Sequence, residues 1–284
     1  AIRGMTVATF SKQGLSNLHP NEDRIAHYAD LNAELAKGPH SAALTASAPV
    51  GATPPAQSFF AVYDGHGGSR SATHAATHLH GNLAADAQQW RKQPREALIS
   101  AFGRTEDELR AIYEAEQGKE RSGTCACVAV LRGRRLLVGW VGDCRALLLR
   151  SESHTESFVQ LTHDHRATDS REMSRITKAG GQVDNGRVWG SLMPSRTLGD
   201  FPWKTKPGLV ADPEITELEI GPDDKYLILG SDGLFDVLSN RAIAKVACKM
   251  NSSAQKVCNE IVKEAKKKMG TDDCSIVVVQ LAGS

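Results

Sequence analysis

The stretch FFAVYDGHGGSR, residues 59–70, runs five apolar residues directly into Asp-Gly-His-Gly-Gly. A near-continuous apolar run of this length reads as a strand covered on both faces. Its abrupt end in a carboxylate, an imidazole and three glycines admits two readings. One is a turn, in which Asp and Gly serve only the backbone. The other is a metal site at a strand end, where Gly lets the chain turn sharply and approach a ligand closely.

Further β-prone runs lie at 5–10, 124–131, 136–141, 144–150, 214–220, 225–230 and 275–281. The second and third flank Arg132-Gly133-Arg134, which reads as a hairpin turn. Helical spacing appears in Ala72, Ala75, Ala76, Leu79, Leu83 and Ala87, and again in Leu98, Phe102, Leu109, Ile112 and Tyr113 behind Pro94. Ser239 and Ser253 read as N-caps of two more helices, the second closing at Gly270. Strict βαβα alternation is absent, so antiparallel sheets with segregated helices fit better than a parallel doubly wound sheet. Residues 38–57, rich in Ala, Pro, Ser and Thr, read as a surface insertion. Residues 163–208, polar and punctuated by glycine around a short helix at 170–178, read as a recognition flap.

The bulk numbers exclude several classes. The 284 residues carry 40% hydrophobic and 24% charged residues, ordinary for a globular chain. A formal net charge of +1 provides no field for nucleic acid or an anionic membrane surface. No apolar run approaches the roughly 20 residues that span a bilayer, and residues 1–14 lack the apolar core of a signal peptide. The six cysteines fall mostly within apolar segments and read as core residues in a reducing compartment; with no signal peptide or span seen, an intracellular location, cytoplasm and/or nucleus, is expected, and separately a monomer. Cys125-x-Cys127 lacks an answering Cys or His pair for zinc.

Asp64 is not alone. Asp143 follows LLVGWVG, Asp232 follows KYLILGS, Asp272 precedes CSIVVVQL, and Asp23 sits in PNEDR near the end of the first strand region. Any one of them reads as a turn residue, but five at the edges of apolar strands can converge where the strands share sheets. Clustered carboxylates repel, and a hard dication relieves the repulsion. An all-oxygen donor set selects Mg²⁺ or Mn²⁺ over Zn²⁺. Two such ions about 3.5–4 Å apart activate a water and clamp a phosphoryl group.

The segments NEDR, FFAVYDGHGGSR, VGWVGDCRALLL, LTHDHRATDSREMSRITKAGGQV, SRTLGDF, LILGSDGLFDVLS and GTDDCSIVVV resemble, in order, the signature segments of the PP2C-type (PPM) metal-dependent protein serine/threonine phosphatases. The resemblance runs from about residue 6 to residue 281 and implies one α+β domain over 1–284. Its architecture would be a four-layer αββα sandwich of two antiparallel sheets flanked by helices. The resemblance further implies that Asp64 bridges two Mg²⁺ or Mn²⁺ ions and that the Gly65 carbonyl binds one of them. Asp232 and Asp272 would bind the other, with Asp23 and, through water, Glu22 supporting the cluster. Asp273 falls where the family usually has Asn, so Asp272 is aligned as the ligand. Asp143 and Asp236 match positions that hold a third ion in some members. His66 matches the proposed general acid, a role that suits an imidazole.

One position departs from the pattern: Leu18 stands where the family commonly places a phosphate-binding Arg. The nearest basic residues are Lys12, His19 and Arg24, and Lys12 is the substitute expected from the sequence, although Lys acts only as a point charge. Arg145 and Arg196 are expected to hold loops by pairing with carboxylates. His74 and His78 have metal-capable i,i+4 spacing without the Glu of HExxH and read as solvent-facing. The expected activity is hydrolysis of phosphoserine and phosphothreonine in phosphoprotein substrates. The alternatives are a catalytically inactive pseudophosphatase acting as a binding module, motivated by Leu18, and another two-metal phosphoesterase such as a nuclease.

Overall fold

The computed structural model describes residues 4–15, 19–38, 56–151, 158–268 and 271–281. Most of the expected 38–57 insertion, Leu18 and Gly270 lie outside the described residues.

The chain builds two antiparallel sheets. One orders β1 (Thr6–Lys12), β13 (Cys274–Gln280), β12 (Asp224–Gly230), β6 (Arg145–Arg150) and β7 (Phe158–Gln160) side by side. The other orders β11 (Glu214–Glu219), β5 (Arg135–Val141), β4 (Gly123–Arg132), β3 (Gln57–His66) and β2 (Arg24–Tyr28), with β10 (Leu198–Gly199) paired to β4. Alternation along β3 shows the layering. Phe59, Ala61 and Tyr63 join a core with helices α2 (Arg70–Asn82) and α4 (Pro94–Ala115), whereas Phe60 and Val62 face the opposite sheet and pack near Leu227, Leu229 and Val277. The outer face of that opposite sheet packs on α8 (Asn240–Met250) and α9 (Ala254–Lys266) through Ile243, Ala247, Val257 and Ile261. Short helices α1 (Leu31–Leu35), α3 (Ala87–Lys92) and α6 (Phe201–Lys204) lie in the connections. The result is the four-layer αββα sandwich of an α+β protein.

Local chemistry accounts for the helix starts. Pro94 occupies the first turn of α4, where its missing N–H costs nothing. The Ser239 hydroxyl accepts from the Ala242 N–H to cap α8. Between β7 and β11 the flap folds into α5 (Ser170–Lys178), capped by Asp169, and a small hairpin of β8 (Val183–Asp184) and β9 (Arg187–Val188). Ala167, Ile176, Val188 and Leu209 give the flap its own small core.

The structure corrects three placements. The helix read through Ala87 stops at Asn82, and Ala87 instead opens α3 behind the Asp86 cap. Asp23 does not end the first strand region; β1 stops at Lys12, and Asp23 immediately precedes β2, whose short sequence RIAHY carries weak strand signal. His74 is not solvent-facing: it is half-buried, and its Nε2 lies 2.8 Å from Glu108 Oε2.

Gly142, at the β5–β6 turn, tests the packing. Its φ is +85°, and a Cβ there would fall 2.2 Å from the buried Cys125 Sγ. Gly142→Ala is expected to destabilise by about 3 kcal/mol, combining left-handed strain with overpacking. Gly133→Ala, at φ +62° with nothing within 4 Å, should cost about 1 kcal/mol. Urea unfolding of the two variants measures the difference, and equal losses would refute the packing argument.

Candidate metal centre

The carboxylates come together because the two sheets end at a common edge. Asp64, Gly65 and His66 are the last residues of β3, paired with Cys125, Thr124 and Gly123. Asp23 precedes β2, Asp143 lies between β5 and β6, Asp232 opens α7 (Asp232–Phe235) after β12, and Asp272 precedes β13. Asp64, Asp143, Asp232 and Asp272 line a cleft of about 520 Å³ that the flap borders through Arg187 and Trp203.

Electrostatics at this edge are unfavourable for bare carboxylates. Burial pushes the Asp64 carboxyl well above the usual range, and the neighbouring Asp23 and Asp232 push it further. Burial, followed for Asp232 by repulsion from Asp143 and Asp272, raises both Asp23 and Asp232 to about 7. Partial burial, followed by repulsion from Asp273, Asp236 and Asp143, raises Asp272 as well. Asp23 Oδ2 accepts a 2.9 Å hydrogen bond from the Ser231 hydroxyl, while its buried Oδ1 has no partner. An orphaned buried carboxylate oxygen calls for an ion or water. A Cβ on Gly65 would lie 2.4 Å from the Glu22 carbonyl oxygen, so only glycine fits this strand end. These oxygen donors fit hard dications of the Mg²⁺ or Mn²⁺ type.

Asp273 has a different job from Asp272. Its carboxylate accepts from the Gly14 N–H at 3.0 Å and the Glu22 N–H at 2.7 Å, which ties the segment before Asp23 to the start of β13. Asp143 and Asp236 both reach Arg166. The guanidinium Nε donates to Asp143 Oδ2 at 2.8 Å, and Nη2 lies 3.3 Å from Asp236 Oδ1 and 3.6 Å from Asp232 Oδ2. Arg166 was legible only as part of a matching segment; its role needed the fold.

His66 has a partner 134 positions away. Its Nε2 lies 2.7 Å from Asp200 Oδ2, and Asp200 is almost fully buried. Burial of the ring disfavours the imidazolium, but the Asp200 carboxylate outweighs it and the pKa rises above its ordinary value. Gly199 and Asp200 both adopt left-handed conformations, with φ of 77° and 56°. The Gly199 N–H donates to Glu106 Oε2, and Lys204 Nζ donates to Glu106 Oε1, which pins the turn to α4. Positive φ at a non-glycine residue is a signal of imposed geometry that a sequence does not display.

Lys12 sits at the exposed end of β1, opposite Cys274, and is not among the residues lining the cleft. His19, Arg121 and Arg187 are the basic side chains on its wall among the described residues, along with the ring of His66. Arg145 makes a bidentate pair with Asp164, at 2.7 and 2.6 Å. Arg196 joins Glu172, at 2.6 Å, and Glu214, at 3.0 Å. Both arginines therefore hold loops.

Residues 16–274 match the model of the family described as Protein phosphatase 2C. The chain is 34% identical over 258 residues to "Probable protein phosphatase 2C 8" of Oryza sativa subsp. japonica, covering 79% of this chain and 62% of that one. It is 33% identical over 244 residues to "Probable protein phosphatase 1N" of Homo sapiens, covering 81% of this chain and 55% of that one. The chain thus spans about three fifths of the length of such curated relatives. The fold is shared with a C. elegans sex determining protein (TM-score 0.79, 24% identity, 98% of this chain and 65% of that one). It is also shared with a serine-threonine phosphatase 2C from Toxoplasma gondii (TM-score 0.75, 20% identity, 98% of this chain and 95% of that one).

Proposed function

The chain belongs to the protein phosphatase 2C family, and from that premise we propose that it hydrolyses phosphoserine and phosphothreonine in proteins, using two Mg²⁺ or Mn²⁺ ions held at the sheet edge. The observation that carries this reading is the convergence of Asp23, Asp64, Asp232 and the more exposed Asp272, the first three held at a cost that a dication would offset, beside the unpartnered Asp23 Oδ1.

Asp64, the Gly65 carbonyl, Asp232 and Asp272 would hold the ions, with Asp23 and Glu22 behind them. When bound, the ions acidify a water and shield the phosphoryl oxygens. The chain supplies the remainder. His66, whose protonated form the Asp200 carboxylate favours, donates a proton to the departing Ser or Thr oxygen. His19, Arg121 and Arg187 are the cleft-wall groups proposed to meet the substrate phosphate, in place of Lys12. Arg166 holds Asp143 and Asp236, the pair proposed for a third ion, so such an ion would have to displace its guanidinium. The test is phosphopeptide hydrolysis with Mn²⁺ and with chelator; equal rates would overturn the reading. The inactive binding-module alternative is disfavoured by the complete carboxylate set, and calorimetry without any Mn²⁺ binding at millimolar concentration would restore it.

Asp200 is proposed as a positioning residue. Asp200→Asn preserves shape and tolerates positive φ. It should lower kcat by about 10²-fold with little change in KM, the scale of a lost general acid contribution. With the negative charge gone, the His66 pKa falls, so the alkaline limb of the kcat profile should move to lower pH. An unshifted limb would assign Asp200 to structure alone.

A further inference from the structure

Away from the acidic cleft, His163, His165 and Glu214 bring three metal-capable side chains together, with ligand atoms all within 4.8 Å of one another. His163 Nε2 lies 3.4 Å from Glu214 Oε2, and His165 Nε2 lies 3.5 Å from Glu214 Oε1. Ligands about 2.0–2.1 Å from a tetrahedral ion stand about 3.4 Å apart. The two imidazole rings are nearly perpendicular, at 86°, and so do not stack in place of converging.

His165 gives the second, independent observation. It is fully buried, and neither ring nitrogen has a hydrogen-bond partner. An unsatisfied buried donor or acceptor is costly, and an ion beside Nε2, the nitrogen that faces Glu214, would satisfy one of the two. Burial, helped by the Arg196 charge, holds its pKa down at about 3, so the ring is neutral and one nitrogen keeps its lone pair for an ion.

The surroundings hold this geometry in place. Trp140 stacks on the His165 ring at 10°, and its indole N–H donates to the His163 carbonyl at 2.8 Å. The His165 backbone is tied on both sides: its N–H donates to Gly142 O, and its carbonyl accepts from the Ser195 N–H. Arg196 donates to Glu214 Oε1 at 3.0 Å and would orient the carboxylate from outside. The side chains of His163 and Glu214 are 28% and 35% exposed, which leaves an ion a route in from solvent. The other His/Glu group, His74–His78–Glu108, lacks these features: its His74 nitrogen is already bonded to Glu108 and its two rings stack in parallel.

We propose that His163, His165 and Glu214 form a separate site for Zn²⁺ or a similar nitrogen-preferring divalent cation, with water in the fourth position. Imidazole ligation distinguishes it from the all-oxygen cleft. The ligands come from the two ends of the flap, so a bound ion would clasp the base of the segment that carries Arg187 and Trp203 to the cleft wall. The proposal does not depend on phosphatase activity.

Co²⁺ titration in excess Mg²⁺, followed by visible absorption, tests it. The wild type should take up one Co²⁺ with the intense bands of tetrahedral coordination. His163→Ala, at the exposed edge, should keep its circular dichroism and bind Co²⁺ more weakly by over about a hundredfold, beyond the effect of losing an outer-shell partner. Asp64→Asn should retain the bands. Absence of tetrahedral bands in the wild type, unchanged binding in His163→Ala, or loss of the bands in Asp64→Asn would overturn the proposal.

Discussion

Asp64→Asn should lower kcat/KM for a phosphopeptide by about 10³-fold or more, a scale set by losses of transition-state charge stabilisation. The change removes a carboxylate that faces Asp23, Asp143 and Asp232 at once. It should also raise the thermal stability of the metal-free protein, because a buried group held far above its ordinary pKa is replaced by a neutral one of the same shape. Wild type in saturating Mn²⁺ should gain stability by mass action, about 2.7 kcal/mol at a hundred times Kd, and the variant should lose most of that gain. Thermal melts with and without Mn²⁺, run beside the activity assay, separate metal loss from misfolding. Full activity in Asp64→Asn would remove Asp64 from the proposed chemistry.

The second large effect is on stability against pH without metal. Asp23 and Asp232 move from an ordinary 3.8 to about 7 in the folded protein. Between those values the native state binds more protons than the unfolded chain, so stability falls as pH rises. The contribution is complete below about pH 4 and lost as pH passes through about 7. Every tenfold difference in proton affinity between the folded and unfolded chain is worth about 1.4 kcal/mol, so the two carboxylates together amount to several kcal/mol. For a chain of this size that should lower Tm by on the order of 10 °C between about pH 5 and pH 8. Saturating Mn²⁺ should flatten or reverse the slope, since it binds the ionised carboxylates. Glu172 opposes this trend at the acid end: despite burial, Arg196 and Arg175 hold it well below its usual range, so its stabilisation is lost only as pH falls. A metal-free Tm that climbs steadily from pH 5 to pH 8 would contradict the raised carboxylates.

Burial at this edge and the cost of charge there have one origin. The β3 strand is covered by helices on one face and by the opposite sheet on the other, so a carboxylate at its end inherits a dry environment. The opposite sheet brings Asp232 and Asp272 to the same place from β12 and β13, strands far from β3 in sequence. The buried Ser231 hydroxyl and the Asp273 carboxylate then fix Asp23 and its neighbours without using the oxygen that remains free.

Much of this is legible in the sequence. The apolar run at 59–63, the hairpin at Gly133, the Pro94 and Ser239 helix starts and the strand-end aspartates all report local backbone geometry and burial, which act over a few residues and leave a periodic trace. The four-layer arrangement came from the family resemblance, and the order of strands within each sheet came from the structure, because local periodicity does not say which strands lie side by side. What only the tertiary structure decided are pairings across long separations: Asp200 on His66, Arg166 on Asp143 and Asp236, Asp273 on Gly14 and Glu22, and the meeting of His163 and His165 with Glu214. It also leaves Lys12 at an exposed strand end, off the cleft wall on which His19, Arg121 and Arg187 stand. The physical reason is the same in each case. A side chain's partner depends on loop paths and sheet order that span long stretches of chain, and no residue type or spacing near His66 encodes the left-handed turn that delivers Asp200 to it.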